Sequence, residues 1–102
     1  MTPADLRAAI VRDCPHRLDD YDRHTARFKV RGWRFGPALI AYWRIEHAIS
    51  SQPDVEAELG RLYGLAEDSP DYAGAKDYLA QVSRIRHQIS ATLDPPKETR
   101  DA

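Results

Sequence analysis

His16, Asp20 and His24 stand four residues apart in RDCPHRLDDYDRH, so on a helix they line up along one face. Imidazole and carboxylate are acceptable ligands for zinc and other divalent ions. No fourth ligand or ordering shell accompanies them, and the reading adopted is a solvated polar face shared with Arg17 and Arg23. Glu46 and His47 are a second pair able to move protons, but they are consecutive. On a helix they point about 100° apart and do not converge on one atom, and no HExxH spacing surrounds them. The serines lack a G-x-S-x-G context, and five scattered glycines make no phosphate-cradling loop. The sequence therefore assigns no catalytic residue, no metal site and no cofactor. An enzyme is not expected, because small helical bundles build active sites from several inward polar side chains and this chain offers too few.

Binding chemistry is better represented. Residues 23–45 carry six bases and no acid, and in RHTARFKVRGWRF the bases interleave with aromatic rings. Arg23, Arg27, Lys29, Arg31 and Arg34 suit phosphates, and Trp33 suits stacking on a base. Against that stands an overall pI near 6.4, low for a nucleic-acid-binding domain. Residues 46–75 hold seven acids against Arg61 alone. Either the basic and acidic stretches face each other in the fold, or the basic one meets a polyanion or an acidic partner.

The stretch WRFGPALIAYWRIEHAIS supplies a different surface. At 100° per residue, Ala38, Tyr42, Ile45 and Ile49 form the centre of an apolar face, widened by Leu39, Ala41 and Ala48. Ile40, Trp43 and His47 lie on the other side, bordered by Arg44. Two placements are open for that strip. Exposed, Ile40, Trp43, Arg44 and His47 form the contact for a protein partner or a homodimer seam, since Trp and Arg are enriched at binding hot spots. Buried, Trp43 is core.

These residues are positioned by elements that proline marks with regularity. Thr2-Pro3-Ala4-Asp5 is a helix start, with a Thr cap and Pro at the first helical position. Leu6, Ala9, Ile10 and Cys14 form its apolar stripe, and Pro15 ends it. Leu18, Tyr21, Thr25 and Phe28 share one face of a second helix running to about Val30. Gly32 breaks that helix, although FKVRGWRF alternates like a short hairpin over residues 28–35. Gly36-Pro37 opens a third helix, which ends at Ser50-Ser51. A fourth begins at Pro53 with the stripe Val55, Leu59, Leu62 and Ala66, and Gly64 reads as its C-terminal cap. Ser69-Pro70-Asp71 caps the last and longest helix, whose stripe is Ala75, Tyr78, Leu79, Val82, Ile85, Ile89 and Leu93. Pro95-Pro96 stop it.

The expected fold is all-α: a compact bundle of four to five helices forming one domain over residues 1–94, with a disordered tail over 95–102. Glu46 and Arg86 are both charged residues on apolar stripes, so a structural ion pair between them is expected. The longest apolar run falls far short of a membrane span, no secretory signal is visible, and Cys14 is the only cysteine. Arg outnumbers Lys twelve to three, a codon signature of a GC-rich bacterial genome, so a cytoplasmic bacterial protein is the expectation.

WRIEHAISSQP, with Trp43, Arg44, Ser51 and Pro53, resembles a stretch in small helical actinobacterial proteins of unknown function, as does PHRLDDYDRH with ALIAYW. Genes of some of those proteins neighbour toxin–antitoxin modules, so the resemblance implies a toxin-binding role, without carrying over any functional residue. The leading expectation is a small protein-interaction module, antitoxin-like, with an unidentified protein partner. The alternative is a nucleic-acid binder using residues 23–35.

Overall fold

The computed structural model describes residues 2–30 and 36–93, the side chains of Lys29 and Val30 excepted. The chain is all-α, with five helices and one 3-10 turn among the described residues. These fall into two compact units, Met1–Gln52 and Pro53–Ala102.

In the first unit, α1 (Pro3–Asp13) opens on a complete capping box. The Thr2 hydroxyl accepts from the Asp5 N–H at 3.1 Å, and the Asp5 carboxylate accepts from the Thr2 N–H at 3.1 Å. Pro15 stops α1 as expected. Cys14 closes it by donating its N–H to the Ile10 carbonyl, and a 3-10 turn (Pro15–Arg17) redirects the chain into α2 (Leu18–Val30). Helix α3 (Pro37–Ser50) starts after Gly36, with Pro at its first position. Helix α1 packs against both α2 and α3. Their shared core is Leu6, Ile10, Cys14, Tyr21, Leu39 and Trp43, flanked by Leu18, Phe28 and Ile40. The stripe expected for α2 is therefore the one that packs.

The buried face of α3 differs from the expected one. Leu39, Trp43, Glu46, Ile49 and Ser50 are buried, while Tyr42 is 43 % exposed. The helix is rotated by about one residue from the face that apolarity alone selects. The large Trp43 indole buries more area than Tyr42, and the polar atoms of Glu46 and Ser50 find partners, so their burial carries no unmet hydrogen bond. Phe28 to Val30 are helical; the rest of the alternative hairpin, residues 31–35, lies outside the described residues.

The second unit is a helical hairpin of α4 (Pro53–Glu67) and α5 (Tyr72–Leu93). Asp54 and Glu58, early in α4, line a groove with Ile85 and Ile89, late in α5, so the two run antiparallel. Leu59, Leu62 and Val82 are its buried residues. Leu79, expected on the buried stripe, is instead exposed. Gly64 is inside α4 rather than capping it: the helix continues to Glu67, and the Ser69 hydroxyl and backbone N–H bind the carbonyls of its last turn. The side-chain cap on α5 comes from Asp71, whose carboxylate accepts from the Gly74 N–H at 2.9 Å. The expected tail, 95–102, lies outside the described residues.

Candidate functional site

Arg17, carried by the 3-10 turn, organises one side of the first unit. Its guanidinium donates from Nη2 to Glu46 Oε1 at 3.1 Å, from Nη1 to Ser50 Oγ at 2.9 Å and from Nε to Asp20 Oδ2 at 3.1 Å. The same group lies 5.2 Å from the centre of the Trp43 ring, within reach of a cation–π contact. Burial pulls its pKa down, but the hydrogen bonds and charges of Glu46 and Asp20 override that, so the guanidinium is held more firmly charged than usual. The buried Glu46 carboxylate thus has its counter-ion inside its own unit. The Glu46–Arg86 pair expected from the sequence would join a residue of the first unit to one of the second.

Trp43 is core, the second of the two placements considered for it. It is 2 % exposed, with the Tyr21 ring edge-on at 5.3 Å and Tyr42 at 5.7 Å. Of the expected partner strip, Trp43 is buried while Ile40, Arg44 and His47 keep partial exposure; Ile40 packs on the core, and His47 is hydrogen-bonded at 2.8 Å to Asp13 at the end of α1. Arg12 first and His47 second hold the Asp13 carboxyl well below the usual carboxylate range.

The indole N–H of Trp43 donates to His24 Nδ1 at 2.9 Å. Because an indole N–H only donates, this contact assigns the proton of the neutral His24 ring to Nε2. His24 is committed to this bond, and Asp20 is shared between Arg17 and Arg23, the latter at 2.8 Å. The His16, Asp20 and His24 row consequently does not gather into a ligand set among the described residues.

In front of these side chains lies an open cleft of about 480 Å³, lined by Arg17, Asp20, Arg23, His24, Arg27, Tyr42 and Trp43. Of the basic and aromatic candidates read from the sequence, Arg23 and Arg27 are in it. The Lys29 side chain, Arg31, Trp33 and Arg34 lie outside the described residues. Arg17 and Tyr42 belong to the cleft and were not foreseen there, since a three-residue 3-10 turn has no periodicity and Tyr42 reads as an interior ring. Arg17 is balanced by Glu46 and Arg23 by Asp20, but Arg27 makes no hydrogen bond or ion pair among the described residues. The cleft is left with a surplus positive charge, its guanidiniums carried by the 3-10 turn and α2 and its tyrosine by α3.

No family model, curated protein or solved structure matches the chain. No described helix is long and apolar enough to cross a membrane.

Proposed function

We propose that the protein is a small binding module rather than an enzyme, and that it docks an anionic segment of a macromolecular partner in the cleft between α2 and α3. The observation that carries this reading is the composition of the cleft. Three guanidiniums and an exposed tyrosine line a concavity of the size that binding sites use, with Arg27 uncompensated among the described residues. The groups there that could move protons are tied to structural partners, Asp20 to two arginines and His24 to Trp43, which argues against general acid–base work. In an antitoxin-like role the partner is a protein toxin, neutralised by occupation of its surface. The lone buried Cys14 suits a reducing compartment such as the cytoplasm.

The test is recovery of partners from an extract of the native host, on immobilised wild type and on an Arg23→Glu/Arg27→Glu variant, identified by mass spectrometry. Partners recovered by the wild type in low salt should be missing from the variant, whose helical circular dichroism should be unchanged. The same set recovered on both would reject the cleft as the docking surface.

A further inference from the structure

We propose that the segment docked in the cleft is single-stranded nucleic acid, with a phosphodiester held by Arg23 and Arg27 and a base laid against Tyr42. This deepens the anionic-docking reading and rests on it. Arg23 and Arg27 are four residues apart on α2, so their side chains leave one face from positions roughly 6 Å apart along the axis. A backbone passing along that face meets both in turn. His24 lies between them in sequence and in the same cleft, with its proton assigned to Nε2 by the Trp43 N–H. Its second ring nitrogen, Nε2, is the one left for a phosphate oxygen. The opposite wall is Tyr42 of α3, nearly half exposed beside this row of donors.

A carboxylate from an acidic peptide would satisfy an arginine but would make no use of the tyrosine. A nucleotide unit pairs a monoanion with a flat ring, which matches one uncompensated guanidinium and one exposed aromatic side chain. The cleft volume of about 480 Å³ suits a single nucleotide, and its open form lets a strand enter and leave. Bases in a duplex are stacked inside the helix and do not reach Tyr42, so the site favours single strands. The sequence from residue 23 to residue 45 carries six bases and no acid, a net positive charge of the sign a phosphodiester requires.

The experiment uses the full chain and fluorescence anisotropy with a labelled oligothymidylate, the same-length duplex, and labelled polyglutamate. Single strand should bind in low salt, with log affinity falling by about 0.7 per neutralised phosphate for each unit of log salt. Arg27→Glu should weaken it at least tenfold with no change in melting temperature. Tyr42→Ala should weaken it by roughly ten- to a hundredfold, the range for one lost base–aromatic stack. Duplex bound as tightly as single strand, or affinity indifferent to Tyr42, would overturn the nucleic-acid assignment. Polyglutamate bound in an Arg27-dependent way without oligonucleotide binding would overturn it while leaving the anionic-docking reading in place. Binding of neither probe, or binding of both unaffected by Arg27→Glu, would end both.

Discussion

Trp43 and Arg17 make the most specific claims at the scale of single residues. Trp43→Ala opens a cavity at the centre of the first unit and should cost about 3–5 kcal/mol in urea unfolding. A variant that keeps full stability would return Trp43 to the surface. Arg17→Met removes the guanidinium from Glu46, which is only 7 % exposed, and should cost about 3 kcal/mol, the lower end for breaking a buried pair, because Arg17 keeps some solvent access. The Arg17→Met/Glu46→Leu double variant should lose less than Arg17→Met alone, since no carboxylate is then left behind. A coupling energy near zero in the double-mutant cycle would deny the pair its structural weight. Sequence reasoning saw that Glu46 on an inward stripe needs a cation. It named Arg86 and did not see Arg17, because helical periodicity points to residues on helices and is silent about a three-residue turn. The same blindness hid Arg17 from the candidate site.

At the scale of elements, the helix boundaries were legible because proline and capping chemistry act locally. Thr2, Pro15, Gly36-Pro37 and Pro53 each mark a boundary that the structure keeps. The α3 face was not legible, since a helix apolar nearly all round has no single preferred side until its neighbours decide. Gly64 was misread because glycine is the usual end signal, whereas here Ser69 supplies the terminal bonds. Gly60 and Gly64 are interior to α4, and a methyl group at either meets nothing within 4 Å. Gly60→Ala and Gly64→Ala should each stabilise by about 0.5–1 kcal/mol, read as a rise in the urea midpoint at constant slope. Gly74→Ala should gain less, because its added carbon would sit at the close edge of van der Waals contact, 3.4 Å from the Asp71 carboxylate and the Ser69 hydroxyl. A Gly74 gain equal to the other two would show that this crowding has no energetic effect.

Over the whole molecule, charge is divided unequally: residues 1–52 hold nine bases and six acids, residues 53–102 six bases and ten acids. The dependence of stability on pH should nevertheless be set by a few groups. Arg12, then His47, lowers the Asp13 pKa; Arg7 lowers Asp22; Arg61 lowers Glu58. A carboxyl whose folded pKa is depressed contributes stability above its unfolded pKa and loses it as pH falls through the folded one. These pairs are largely exposed, so the resulting acid limb should be shallow and should flatten in high salt. Tyr21 acts with the opposite sign. Burial, and then the Asp22 charge, raise its pKa above the usual phenol value, and its hydroxyl donates to the Pro3 carbonyl at 3.2 Å. The neutral form is the one the fold accommodates, so its contribution is intact below about pH 10 and is lost as pH rises through the folded pKa. Because burial rather than a surface pair is the main cause, salt should leave this alkaline limb in place. Melting temperature measured against pH at low and high salt separates the two. The acid limb should respond to salt and the alkaline limb should disappear in Tyr21→Phe, at the expense of about 1 kcal/mol for the lost hydrogen bond. An alkaline limb unchanged in Tyr21→Phe would assign it to another group and remove Tyr21 as the buried phenol that α1 and α2 close over.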